Sequence, residues 1–401
     1  MKHLRYLDLS GNLMERLPDW IVELSNLETL DLSQCWELVE LPRDIKKMIN
    51  LRHLILEGCT GLSGMPRGIG ELNGVRTLNR FVLSESNCLG RGGSAGLAEL
   101  GTLNELRGDL VIGNLRHVVS ESNVGTPLKD KQHLCSLDLK WTYRGDGSAV
   151  DEEDIIKSME RCQRLPPLDH LPSLKSLKLL YLEKLEYISE NESSNSMSDE
   201  MMRISFFPSL ETLELHNCPV LKGWWRAHTH NSASSSSSTE NLSLPSFPRL
   251  STLEIYNCPN LTSMPLYPNV VEIKLYRSSW KLVDSLFVRG ASDITHDVGV
   301  DVDVSASSSS PYLSKLTHLT LGGIEDLASL PEEISNLTSL QHLQNNNCSN
   351  LASLPEGIRG LPRLNRLKIQ RFPVLSERCK TETGEDWFKI AHIQSIEIDE
   401  S

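Results

Sequence analysis

The chain has 401 residues and carries 40 Lys and Arg against 53 Asp and Glu, a formal charge of −13. An acidic balance of this size gives no support to binding of nucleic acid or of an anionic membrane surface. Apolar residues make up 39% and aromatic ones 5%, which fits a leucine-dominated core, and no run approaches the ~18 apolar residues of a membrane-spanning helix.

Residues 1–20 hold Lys2, Arg5, Asp8, Glu15, Arg16 and Asp19 with no apolar core segment, so no secretory leader is expected. The triplets headed by Asn191, Asn241, Asn260 and Asn336 then read as chance matches to a glycosylation signal. The 9 cysteines are odd in number. Cys35, Cys59, Cys218, Cys258 and Cys348 each stand eight residues after an apolar residue that opens a repeat, a place Asn12 fills near the start. A small polar side chain there can satisfy backbone groups where a strand ends. Cysteines used in this way imply a reducing compartment, and the location expected is cytoplasmic.

In chain order, copies open at Leu4, Leu27, Leu51 and, more loosely, Val75. The second runs Leu27, Leu30, Leu32, Cys35, Leu38, Leu41-Pro42, Ile45, Met48, and the pattern restarts at Leu51, a period of 24 residues. The first three end in Leu17-Pro18, Leu41-Pro42 and Met65-Pro66, each followed three residues later by isoleucine. Proline lacks the N–H that would extend a strand, so it marks where the chain leaves the sheet.

Residues 84–105 break the rhythm: Cys88 to Gly96 is a Gly-rich loop, and Leu97 to Leu106 has helical spacing. Leu110 to Leu115 and Leu134 to Trp141 restore strands. Residues 151–161 are acidic where the strand-bearing half of a copy belongs, so local irregularity is expected around 143–165. Strands resume at Leu174, Leu210, Leu250, Val270, Leu316, Leu340, Leu364 and Ile393. Insertions at Ser189–Met202, His228–Asn241 and Gly290–Ser310 are poor in large apolar residues and read as mobile loops. Asn345 stands where Leu32 and Leu56 stand in their copies, which predicts a polar amide facing the core.

A repeat of this length and leucine spacing is the leucine-rich repeat. One copy cannot bury its own apolar ridge, so copies must stack. The expected fold is α/β: a leucine-rich-repeat solenoid, or horseshoe, of about thirteen units. A concave parallel sheet of short strands would face an irregular or short-helical convex side. The expected divisions are residues 1–83, regular repeats; 84–160, irregular repeats with an inserted loop; and 161–401, later repeats with Ser-rich insertions and a terminal cap. Leu4, Leu7 and Leu9 have no earlier copy to cover them, which predicts an exposed sheet edge.

Two motifs carry no chemistry on inspection. Gly90-Arg-Gly92-Gly-Ser-Ala95 matches a dinucleotide fingerprint loosely, but no β-α-β context follows. His228-Thr-His230 lies in a Ser-rich insertion with no Cys or carboxylate cluster beside it, so no metal site is expected. No nucleophile, base and acid share an interpretable spacing, and repeats leave no room for a catalytic domain, so a non-enzyme is expected.

Positional candidates are stronger. His216, Tyr256 and Tyr276 each fall six residues after their copy's first apolar position and should form one lane on the sheet, with Glu214, Glu254 and Lys274 in the lane beside it. Aromatic and charged groups held on a rigid sheet suit protein recognition. Toward the start, Arg5, Asp8, Asp31, Arg52 and Glu57 form a polar set that could meet a neighbouring domain.

Lys2-His-Leu-Arg-Tyr-Leu-Asp-Leu-Ser10, Leu106-Arg-Gly-Asp-Leu-Val-Ile112-Gly-Asn-Leu115, Leu128 to Leu134 with Trp141, and Gly384-Glu-Asp-Trp-Phe-Lys-Ile-Ala-His-Ile393 resemble the leucine-rich-repeat region of plant intracellular disease-resistance receptors of the coiled-coil, nucleotide-binding class. The tail is the strongest marker. Phe388 and Gln394 depart from it, standing where members usually have proline, and relatives carry complete repeats where this chain jumps at Glu160-Arg161. The resemblance implies binding of a pathogen effector or a guarded host protein and restraint of a nucleotide switch. It places ADP or ATP in an upstream nucleotide-binding domain and no cofactor in this chain, where no phosphate loop is found. A stand-alone adaptor, such as a substrate-selecting subunit of a ubiquitin ligase, and an inactive truncated product are the alternatives.

Overall fold

The computed structural model describes residues 3–84, 96–115, 128, 130–140, 168, 171–190, 207–226, 247–288, 313–371 and 373–398. The expectations for the Cys88–Ala95 loop, Trp141, residues 151–161 and the Glu160-Arg161 junction, His228 and His230, and most of the Ser-rich insertions lie outside those residues. The chain divides into two compact units, Met1–Asn191 with Trp225–Ala227, and Glu192–Trp224 with His228–Ser401.

In the first unit, β1 (Tyr6–Asp8), β2 (Thr29–Asp31), β3 (His53–Ile55) and β4 (Thr77–Leu78) lie side by side and parallel. Each starts two residues after the apolar residue that opens its copy. Their register sets Leu7, Leu30, Leu54 and Leu78 in one file. Leu30 and Leu54 are sealed from solvent, whereas Leu4, Leu7 and Leu9 are half-buried.

Proline followed by isoleucine three residues later has a direct cause. The N–H groups of Ile21, Ile45 and Ile69 donate to the carbonyls of Pro18, Pro42 and Pro66 at 3.1, 3.1 and 3.3 Å. These bonds open the 3-10 turns Asp19–Glu23, Ile45–Lys47 and Ile69–Glu71. Three residues per turn eclipses side chains at i and i+3, so Ile21, Leu24 and Leu27 all point inward. The cysteines close the strands. Cys35 and Cys59 thiols donate to the Leu9 and Leu32 carbonyls of the preceding rung at 3.2 and 3.0 Å, whereas the Asn12 amide donates to the Leu9 carbonyl of its own rung at 2.8 Å. Burial pushes the Cys59 thiol up to about 11.

Asn79 then changes the ladder. Its side-chain oxygen accepts the Leu56 N–H at 2.7 Å, continuing the line of β3, while its carbonyl accepts the Val111 N–H at 3.0 Å. Past this residue β5 (Arg80–Val82), β6 (Arg107–Gly113), β7 (His133–Lys140) and β8 (Ser176–Leu180) run parallel, with Phe81, Ile112, Leu139 and Leu179 in one buried file. At 7 and 8 residues, β6 and β7 are longer than the regular rungs. Helix α1 (Leu97–Thr102) replaces a 3-10 turn and packs on the preceding one. Glu99 accepts the N–H groups of Gly68 and Gly70, and a Cβ on Gly70 would lie 2.7 Å from the Glu99 carbonyl, so the approach needs glycine. Lys131, fully buried, donates to the Gly101 carbonyl and to Asn104 at the end of that helix, and burial pushes its ammonium down to about 8. Strand β9 (Tyr187–Glu190) follows.

The second unit carries β10 (Thr212–His216), β12 (Thr252–Tyr256), β13 (Glu272–Tyr276), helix α2 (Trp280–Val288), β14 (His318–Gly322), β15 (His342–Asn346), β16 (Arg366–Gln370), helices α3 (Pro373–Arg378) and α4 (Trp387–Ile390), and β17 (Ser395–Ile398), while the residues of β11 (Gly223–Arg226) are divided between the two units. Apart from β11, the second unit's strands form one parallel ladder, β10-β12-β13-β14-β15-β16-β17, in register throughout. Alternate residues face in: Leu213, Leu253, Ile273, Leu319, Leu343 and Leu367 make one file, and Leu215, Ile255, Leu275, Leu321, Asn345 and Ile369 the next. The residue after each strand adopts positive φ: Asn217, Asn257, Arg277, Gly323, Asn347 and Arg371. Asparagine and glycine tolerate that backbone, which turns the chain out of the sheet. The first five of these residues each donate an N–H to the last residue of the next strand.

Under β10 to β13 the core is aromatic. Trp224 packs edge-on to Phe247 and Tyr267 at 5.6 and 6.3 Å, Phe247 stacks on Phe207 at 5.9 Å, and the Trp224 indole donates to the Ser263 carbonyl at 2.7 Å. These rings fill the volume that leucines and the proline turn fill elsewhere.

The turn of the copy that carries β15 is closed by charge. Asp386 accepts the Leu354 N–H at 3.1 Å, and Lys389 donates to the Leu354 carbonyl at 2.6 Å, so two side chains satisfy both backbone groups of one residue. Lys389 and the Arg378 guanidinium hold Asp386 at 2.9 and 3.0 Å. Burial pushes the Asp386 carboxyl up, but hydrogen bonds from Arg378, Lys389 and the Leu354 N–H outweigh it and hold it below the usual range. Residues of the distinctive tail thus satisfy the backbone of Leu354.

Two outcomes follow for stability. Asn345 is fully buried and neither amide atom has a partner among the described residues, so Asn345→Leu should raise stability by about 1–3 kcal/mol, read as a higher denaturation midpoint. Because the folded Asp386 value lies below the unfolded one, its contribution is present above pH ~3.9 and is lost as pH falls through the folded value. Asp386→Asn should therefore cost about 3 kcal/mol at pH 7, with the gap to wild type closing toward pH 2 in acid-unfolding curves.

Candidate functional site

The outward face of the second unit's ladder collects the lane residues. Register aligns His216, Tyr256 and Tyr276 across β10, β12 and β13, and aligns Glu214, Glu254 and Lys274 beside them. The His216 and Tyr256 rings stack at 5.9 Å, and the Tyr256 and Tyr276 rings tilt together at 6.1 Å. Arg277, on the positive-φ turn, sits 5.9 Å from the Tyr256 centroid, within reach of a cation–π contact. The file ends for a steric reason. Gly322 is next in register, and a Cβ there would lie 2.4 Å from Tyr276 Cδ1, so the Tyr276 ring lies over the glycine.

Charges knit the neighbouring lane. Lys274 bonds Glu272 at 3.2 Å and lies 3.9 Å from Glu254. Burial pulls the Lys274 ammonium down, but these carboxylates outweigh it and hold it above its usual value. Burial, and then the Glu254 charge, push the Tyr276 hydroxyl up. His216 Nε2 is sealed from solvent 3.4 Å from Glu254 and 4.0 Å from Glu214, without hydrogen-bond alignment to either. The lane is therefore a preset surface of rings bordered by interlocked charges. Each ring pair contributes about 0.5–1.5 kcal/mol to holding it in place.

The earlier polar set divides among several places. Asp8 and Asp31 share one register position on β1 and β2. Their carboxylates accept the N–H groups of Ser10 and Ser33 at 2.9 Å, so they shape the strand ends. Arg5 and Arg52 stand one residue after their copies open, Arg5 pairing with Glu28 at 3.3 Å and Arg52 donating to the Gly74 carbonyl at 3.2 Å. Glu57 is exposed beyond β3.

One feature escaped the sequence reading. His318 and His342, on β14 and β15, stack face to face at 4.4 Å with their planes 11° apart, and Arg366 is next in register. All three fall two residues after Leu316, Leu340 and Leu364, the place His53 takes in its own copy, so the signal was present as a lane. Among the described residues no three His, Cys, Asp or Glu gather as metal ligands, and no helix is long and apolar enough to cross a membrane.

A protein of Arabidopsis thaliana that bears the name of a disease resistance protein is 33% identical over 294 residues, covering 55% of this chain. The chain spans only 20% of that protein's length. Among solved structures, a leucine-rich-repeat protein of Leptospira interrogans aligns with 97% of this chain and 76% of its own at 17% identity and a TM-score of 0.43. The plant peptide hormone receptor RGFR1, solved in complex with RGF2, aligns with 92% of this chain and 56% of its own at 16% identity and 0.39. Likenesses this low say nothing about partners. The repeat pattern, the stacked parallel rungs and a match of residues 1–281 to the family described as leucine-rich repeat region together place this chain in that family.

Proposed function

We propose that the chain is the ligand-recognition and autoinhibitory portion of an intracellular plant immune receptor, binding a pathogen protein or a guarded host protein on its sheet. The observation that carries this reading is the prealigned His216–Tyr256–Tyr276 file. Rings already fixed by their neighbours lose little entropy on binding, and Tyr is favoured where a few residues supply most of the affinity. The name of the Arabidopsis relative supports the defence context. In this reading the chain performs no reaction and holds no cofactor. ADP or ATP belongs to a nucleotide-binding domain of a full-length receptor, and that domain is a second partner. Ligand binding relieves restraint only insofar as its affinity differs between the two receptor states.

Tyr256→Ala combined with Tyr276→Ala tests the file. Immobilised chain is presented with a panel of purified pathogen-secreted and host proteins, and affinities are measured by surface plasmon resonance. The double variant should weaken the captured protein's affinity by at least about 30-fold, equivalent to about 2 kcal/mol, while its thermal midpoint stays within about 2 °C. Unchanged affinity would make the file ordinary sheet surface.

A further inference from the structure

The outward face of the second unit changes character between β13 and β14. Across β10, β12 and β13 it carries Glu214, Glu254 and Glu272 among its aromatics. Across β14, β15 and β16 the outward positions are His318, Thr320 and Gly322; His342, Gln344 and Asn346; and Arg366, Lys368 and Gln370. None is Asp or Glu, in a chain whose formal charge is −13. The turn residues beside this strip, Arg277, Gly323, Asn347 and Arg371, bring no carboxylate either. On the neighbouring strands acidic groups stand at both flanks, Glu272 on β13 and Glu397 on β17.

Within the strip the cationic groups converge on one lane. The His318 and His342 rings stack at 4.4 Å, and His318 Nδ1 lies 2.7 Å from Thr317 Oγ1. Arg366 follows in register, exposed and with no ion pair among the described residues, while Lys368 is already engaged by Glu397 at 3.3 Å. Two stacked imidazoles beside a guanidinium repel one another once protonated, and an anion placed over them removes that cost.

We propose that the outward face of β14–β16 binds an acidic segment of a protein partner, a carboxylate seating over His318, His342 and Arg366. This rests on the reading of the sheet as a recognition surface and adds the chemistry of the partner. Three strands at ~4.8 Å spacing are ~10 Å across, the length of about three residues of extended peptide. Glu272 and Glu397 bound the strip on both sides, so a short acidic run fits where a long polyanion would meet repulsion. The groups facing the imidazole pair are Glu272 on β13, Arg366 on β16 and the two rings themselves. Burial, the other imidazole and Arg366 all hold His342 below its usual value, so an acidic occupant should draw a proton onto His342 and bind better as pH falls.

The experiment uses the full chain and a fluorescein-labelled triglutamate peptide, read by anisotropy at pH 7.5 and pH 6.0. Binding should tighten at least about tenfold at the lower pH, and His318→Gln with His342→Gln should abolish that gain. Arg366→Ala should weaken binding at both pH values, and Arg366→Lys should restore part of it. Tyr256→Ala with Tyr276→Ala should leave triglutamate binding unchanged, so a failure here is separable from a failure of the aromatic file to capture a partner. Absence of binding, binding indifferent to the histidine pair, or tighter binding of a single-stranded thymidine trimer than of triglutamate would each overturn the proposal.

Discussion

A copy of some two dozen residues presents a ridge of three or four leucines and has nothing of its own to set against them. Everything else follows from that deficit, because the ridge is buried only when the next copy repeats it at the same height. Register is therefore enforced by the core, as a slip of one residue would turn Leu213 and Leu215 outward and Glu214 inward. The same enforcement aligns the outward side chains into lanes although none touches the core. The ordered outward face is thus a by-product of core packing, and its precision is inherited from the leucines.

Each rung must also dispose of its backbone groups where the chain turns, and the molecule uses a small repertoire. The Cys35 and Cys59 thiols meet carbonyls of the preceding rung, proline carbonyls receive isoleucine N–H groups, and positive-φ residues pass an N–H to the next strand. Where no further rung continues the proline-side bridges, Asp386 and Lys389 supply an acceptor and a donor to Leu354 in place of a neighbour's backbone. Charge there completes hydrogen bonding at a sheet boundary, which explains why the tail sequence is so distinctive.

Much of this was legible in the sequence because it is periodic. The strand positions, the cysteine sites, the buried Asn345 and the alignment of His216 with Tyr256 and Tyr276 all depend on counting from a repeat's first apolar residue. What could not be read depends on partners far along the chain. Asn79 joins one ladder to the next only because Leu56 and Val111 arrive beside it. Trp224, Phe247 and Tyr267 have no common spacing and meet only in the fold. Lys131 carries no mark of burial in the sequence, and only the end of α1 closing over it buries it. The histidine pair differs: its spacing was visible, but its meaning came from two rings lying 4.4 Å apart.

The cysteine positions have a consequence beyond packing. Cys35, Cys59, Cys218, Cys258 and Cys348 are each fully shielded, one to a rung, in both units. A shielded thiol meets an alkylating reagent only when its own rung opens, since reaction needs an accessible thiolate. The array therefore carries an internal clock at each of these rungs, and the order in which the sulfurs become modified would record the route by which the stack comes apart.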